Sequence, residues 1–240
     1  MWYGDAVMRA ASTDVFQGCL RTGERVSQHL LCLVLLCSGC GTTLLAPLPS
    51  HTTLVTASLG GPAVLLGGAP IPVPVSTVGV AYGVSDAVAT RGALHPTAAA
   101  FGVAGLDLGM VVHPLREHRA QLALGLDAYA FENGSDAIVL ADPWVGTRFL
   151  LAPWFALGGG MHLPIRVLSS DSTVRALSPL APTLFLQPAF ITGPWEWTTE
   201  LRWYAPTSCG SCTAPDWVSP GGRGAFGVVL GASYSIGRPR

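Results

Sequence analysis

Cys209-Gly-Ser-Cys212 has the spacing of a redox dithiol or of half a zinc site. A thioredoxin-like dithiol needs a helix start, and this unit lies among Pro206, Pro215 and Pro220, so it reads as loop. A four-cysteine zinc site needs a second pair, and the chain beyond Cys40 has none, so no metal site is expected. His95, His113, His118 and His162 stand in separate segments without metal-helix spacing, and read as turn or lumen residues. Nucleophile elbows, phosphate loops and dinucleotide fingerprints do not occur in a strand-to-helix context. The expectation is therefore a protein without catalytic residues or cofactor, and not an enzyme. What remains is charge of an unusual kind: Arg91, Asp107, Asp127, Arg148, Glu196, Glu200 and Arg202 recur among glycine and alanine inside otherwise apolar segments.

The elements that carry these charges alternate with period two, as strands do. Phe226, Val228, Leu230, Ala232, Tyr234 and Ile236 alternate with Gly227, Val229, Gly231, Ser233 and Ser235. Trp195, Trp197, Thr199, Leu201 and Trp203 likewise oppose Glu196, Thr198, Glu200, Arg202 and Tyr204. Weaker segments complete ten candidate strands: 52–59, 74–83, 87–94, 99–113, 119–132, 143–152, 154–163, 182–192, 195–204 and 224–237. Links near 84–86, 114–118, 152–153 and 193–194 are short, whereas 60–73, 164–181 and 205–223 are long. In an up-and-down count the short links share one end with both termini, and the long ones share the other. Asn133-Gly134 is a hairpin turn signal.

Composition bounds the partners. Charged residues make up 11% of the 240-residue chain against 50% hydrophobic, and the net charge is −1 with interspersed signs. Nucleic acid is thereby excluded as an expected partner. The length suits one core, and no run after Leu48 is long enough for a membrane helix.

Near the N-terminus, Arg21 and Arg25 precede the apolar run from Leu30 to Leu36, which ends in Cys37-Ser38-Gly39-Cys40. This resembles a bacterial lipoprotein export signal, with Cys37 standing where leucine is usual. The resemblance implies residues 1–40 as leader and signal peptide, lipidation of Cys40, a linker over 41–51 and a single barrel domain over 52–240. It also implies an oxidising compartment, where Cys209 and Cys212 are expected to form a local disulfide stapling their loop.

At the other end, Gly231, Tyr234 and Ile236 resemble the closing strand of Gram-negative outer-membrane β-barrels, with Ile236 in the place of the usual phenylalanine. That resemblance implies an all-β fold, an antiparallel up-and-down transmembrane barrel of about ten strands. The barrel would face outer-membrane lipid and engage the outer-membrane assembly machinery, with Cys40 anchored on the periplasmic side. Tyr82, Trp154, Trp195, Trp203 and Tyr234 near strand ends fit interfacial belts. The seven charged residues would line a polar lumen, as a narrow pore or as ion pairs filling it. A structural or small-solute envelope role follows.

Two rivals stand beside it. A small-barrel enzyme acting on outer-membrane lipid needs a histidine, such as His95 or His162, against a serine at the membrane rim. A soluble periplasmic lipoprotein, a lipocalin-like barrel or sandwich binding an apolar ligand, needs the leucine and tryptophan faces to point inward. Side-chain direction therefore separates the membrane barrel from the soluble one.

Overall fold

The computed structural model of the chain describes residues 41–66, 69–117, 119–134, 136–170, 182–209 and 218–237. Cys40, Cys212, His118 and the side chain of Cys209 lie outside the described residues, and so do the proposed lipidation and disulfide. Strands β1 (Thr53–Leu66), β2 (Ala69–Pro72), β3 (Val75–Ser85) and β4 (Val88–Leu94) lead to a short helix α1 (Pro96–Ala100). After it come β5 (Ala104–Arg116), β6 (Ala120–Glu132), β7 (Ala137–Ala152), β8 (Phe155–His162) and β9 (Ile165–Ser169). The chain finishes with β10 (Thr183–Thr192), β11 (Trp195–Cys209) and β12 (Arg223–Ile236).

Neighbours in sequence pair antiparallel, and β12 returns to pair with β1 from Thr53 against Ile236 to Pro62 against Gly227. The sheet is thus a closed up-and-down antiparallel barrel of ten staves. β8 and β9 together make one stave along β7, and β2 is an arm folded onto the far end of β1. Links β3–β4, β5–β6, β7–β8 and β10–β11 are short and share one end with Thr53 and Ile236. Closure removes the unpaired edges that would otherwise invite aggregation.

Several boundaries differ from those expected, each for a local reason. Residues 60–73 are a hairpin arm, because β1 runs on to Leu66 and pairs with β2. The expected start of the fourth strand at 99 is helix α1, opened by Pro96 at its first turn and followed by Gly102 at φ +78°. β7 begins at Ala137 rather than 143, directly after the Asn133 turn, in which Asn133 and Asp136 exchange hydrogen bonds of 3.1 and 2.8 Å. Opposite Pro143, which has no N–H to offer, the facing stave breaks at Leu163 and Pro164. Pro188 has the same effect in β10: its ladder to β11 skips from Leu186 to Ala189, beside Gln187 and Glu200.

Alternation settles which face is which. Val78, Val80, Leu106, Leu108, Met110, Leu124, Leu126, Leu184, Leu186, Trp197 and Leu230 are exposed on the outer wall, whereas Asp107, Asp127, Asp142, Arg148, Gln187, Glu196, Glu200 and Arg202 are buried inside. At the short-link end Trp195 stacks on Trp197 at 5.6 Å and Trp154 on Phe190 at 6.3 Å, with Tyr234 against Trp195. Trp203 sits towards the opposite end, its indole N–H donating to the Arg223 carbonyl at 3.0 Å. Replacing Val229, which lies between Gly60 of β1 and Glu200 of β11, by proline tests closure. Loss of a ladder bond inside an edgeless sheet is expected to cost about 1–3 kcal/mol and to abolish the heat-modifiable gel form.

Candidate functional site

A ten-stave barrel has a wider axis than an eight-stave one, whose side chains just fill it. Here the axis is taken up by residues 41–50, a strap running inside the barrel. Ser50 lies at the short-link end, where its N–H donates to Asp86 at 2.9 Å. Leu48 packs with Leu54, Ala81 and Ala89; Leu45 packs higher with Val111, Ala123, Trp144 and Phe185. At the top, the Gly41 carbonyl accepts from Arg202. The expected linker over 41–51 is thus packed lumenal structure, because full burial of a leucine side chain is worth about 1.5–3 kcal/mol.

Polar groups hold the strap at Thr43. Its N–H and hydroxyl both donate to Glu200, at 2.8 and 3.1 Å, and its carbonyl accepts from Gln187 at 2.9 Å. Glu200 also accepts from Gln187 at 2.8 Å and from Arg202 at 2.6 Å, so this fully buried carboxylate uses all its acceptor capacity. His162 lies between Asp142, 2.8 Å from Nδ1, and the Thr43 hydroxyl, 2.9 Å from Nε2. Carboxylate, imidazole and hydroxyl stand in the order of a nucleophile relay. The hydroxyl's one proton goes to Glu200, however, so it accepts from His162 Nε2, the reverse of nucleophile activation, and the arrangement fastens the strap deep in the lumen.

Shape supports the same contact. A Cβ on Gly146 would come within 2.5 Å of Leu45, and one on Gly158 within 2.3 Å, so the β7 and β8 wall accepts this leucine because it carries no side chains there. Beside the strap, between it and the β1, β3 and β12 walls, a cavity of about 50 Å³ is lined by Thr56, Ser58, Thr77, Thr198 and Ser233, among others. That is room for water among hydroxyls.

The charged residues singled out in the sequence come together in pairs. Arg91 grips Asp127 through two bonds of 2.9 and 2.7 Å, and Trp144 donates to the same carboxylate at 2.8 Å. Arg148 holds Glu196 at 3.2 and 3.1 Å, Arg202 holds Glu200, and Asp107 meets His95 at 2.6 Å. His113 is buried on the inner face of β5. Asp142, Gln187 and Thr43 escaped the sequence reading. Gln187 alternates with Phe185 and Ala189 and could have been assigned inward; Asp142 stood outside the expected strand, and nothing in the sequence folds Thr43 into the barrel. His162 meets a strap threonine, not a serine at the rim.

No protein-family model matches the sequence, and no curated protein matches it. Similar solved structures include an outer membrane channel from Pseudomonas putida F1, with TM-score 0.45 and 10% identity over 81% of this chain and 99% of that one. The translocator domain of the autotransporter NalP from Neisseria meningitidis gives 0.38 and 8% over 88% and 95%. The outer membrane protease OmpT from Escherichia coli gives 0.37 and 12% over 80% and 99%. Likeness at this level carries no function across. It does correct one expectation: with a protease among these barrels, the reading of the chain as no enzyme does not stand, and at 12% identity no activity is assigned either.

The Arg202–Glu200 pair allows a direct test. Arg202→Ala strands a buried carboxylate and is expected to destabilise the barrel by about 3–5 kcal/mol in urea unfolding followed by tryptophan fluorescence. Arg202→Met with Glu200→Met removes both charges and is expected to cost less than the single change; an equal or larger cost would show that the pair is not the unit.

Proposed function

We propose that this chain is an outer-membrane β-barrel protein of the Gram-negative envelope, closed by its own lumenal strap, with a small-solute role that depends on the strap moving aside. The observation that carries this reading is the inversion of the barrel: leucine, valine and tryptophan outside, arginine and carboxylate inside. A soluble barrel of lipocalin type needs the reverse. Aromatic side chains gathered at the short-link end fit a membrane interface, and the shared end of short links and termini fits the periplasmic side. Outer-membrane lipid is then the partner of the outer wall. The closing strand with Gly231, Tyr234 and Ile236 is the part an assembly machinery would engage.

Lipidation of Cys40 belongs to the same proposal with a condition attached. Gly41 is bonded to Arg202 in the lumen, so a residue at 40 anchored in the periplasmic leaflet requires the strap to leave the barrel.

Fractionation tests the membrane assignment: the protein should pellet with outer membranes and shift in gel mobility on heating, and a fully soluble product would sink the proposal. Leu126, exposed in the middle of β6, gives the energetic version. Leu126→Arg is expected to lower stability in lipid vesicles by about 2–4 kcal/mol, as charges on the midplane lipid face do.

A further inference from the structure

We propose that the lumenal wall is a binding site for extended polypeptide, read through its main chain, and that residues 41–48 of the strap occupy it in cis. It rests on the reading of the strap as a displaceable closure.

Four wall side chains direct hydrogen bonds at main-chain groups of three successive strap residues. Arg202 of β11 donates to the carbonyl of Gly41, Arg91 of β4 to that of Thr42 at 3.4 Å, and Gln187 of β10 to that of Thr43 at 2.9 Å. Glu200 of β11 accepts the Thr43 N–H at 2.8 Å. Carbonyl and N–H groups are common to every peptide, so donors and acceptors converging on them from three strands make a site tolerant of sequence. Gln187, Glu200 and Arg202 are buried, where losing a partner is costly, and Arg91 is partly buried. An empty lumen would leave them facing solvent or another chain.

Side-chain selectivity is strongest at three places, with Leu44 and Ala46 packed beside them. His162 and Glu200 both reach the Thr43 hydroxyl, so the first asks for serine or threonine. Two residues on, the slot under Gly146 and Gly158, walled by Trp144 and Phe185, asks for leucine or a similar apolar side chain. A second apolar slot, between Leu54, Ala81 and Ala89, takes Leu48. The strap is held by side chains and not by strand pairing: among the described residues it joins no strand ladder, and Pro47 and Pro49 have no N–H with which to join one. It therefore lies in the barrel as a ligand lies in a site. The partner class that fits is an extended peptide with a hydroxyl residue, a leucine two places later and a second apolar residue three places beyond that.

The test uses the full chain in detergent and a fluorescein-labelled synthetic peptide of residues 41–50. In the wild type the tethered strap competes at an effective concentration of about millimolar, so little saturable binding is expected at micromolar peptide. Leu45→Asp with Leu48→Asp expels the strap, and Thr43→Asp does so independently by facing Glu200 with a second carboxylate; a heat-modifiable gel shift identifies the folded variants. Either folded variant is expected to bind the peptide with saturation. Methylating the peptide nitrogen that corresponds to Thr43 should weaken binding about tenfold or more, because Glu200 loses its main-chain donor. Absence of saturable binding by both folded variants, or binding indifferent to that methyl group, overturns the proposal. Conductance in planar bilayers reports the closure separately. Peptide binding by folded variants that conduct no more than the wild type supports the site while rejecting the closure; raised conductance without binding rejects the site alone.

Discussion

Glu200 is the group on which the interior depends. It is fully buried and takes hydrogen bonds from Arg202, Gln187 and both donors of Thr43. A carboxylate without partners in such a place costs several kcal/mol, and this one is satisfied only because wall and strap contribute together. The strap is thus a structural component of the lumen. Remove it and Glu200 loses two of its four hydrogen bonds while Arg202 and Gln187 each lose a carbonyl. Other charges of the wall are paired without the strap, Arg91 with Asp127 and Arg148 with Glu196.

From that constraint the rest of the architecture follows in order. Closing ten strands with apolar residues outward turns every polar position inward, where water is scarce. Ion pairs use up most of those positions, and the axis left over is wide enough for one extended chain. Where the wall must approach the chain, it is glycine, as at Gly146 and Gly158. Where it must grip the chain, it carries a long donor or acceptor. The proline interruptions fall in the same region: the ladder gap at Pro188 adjoins Gln187, and the break opposite Pro143 adjoins Asp142 and His162. Relaxed pairing and polar recognition of the strap therefore coincide on one side of the barrel.

The barrel was legible because closed antiparallel sheets have one repeating signal, and it was strong here. The alternation in 195–204 and 224–237 sorted Trp197 and Leu230 from Glu200 and Arg202, the residues the fold puts on opposite faces. Loop lengths fixed the end that carries the termini. Strand ends were less legible: Pro143 reads as a stop, although β7 continues on both sides of it. The strap was not legible at all. Leu44, Leu45 and Leu48 follow the apolar run and read as part of a linker, because their partners Val111, Trp144 and Phe185 lie far along the chain, and period and spacing say nothing about such contacts.

The same strap bears on the proposed lipidation of Cys40, a residue outside the described ones. Its polar contacts run from Asp86 at Ser50 to Arg202 at Gly41, and the chain tightens once on the way, where the Leu45 N–H donates to the Thr43 carbonyl at 3.1 Å. A lipid held at residue 40 in the periplasmic leaflet would have to bring Gly41 back to the end at which Ser50 now sits. If residue 40 is acylated as proposed, anchoring and closure exclude one another, because one segment cannot meet both demands. Under that proposal the hydrogen bonds that hold Thr43 against Glu200 oppose acylation at the periplasmic face, and leaving the barrel would cost Glu200 both of them.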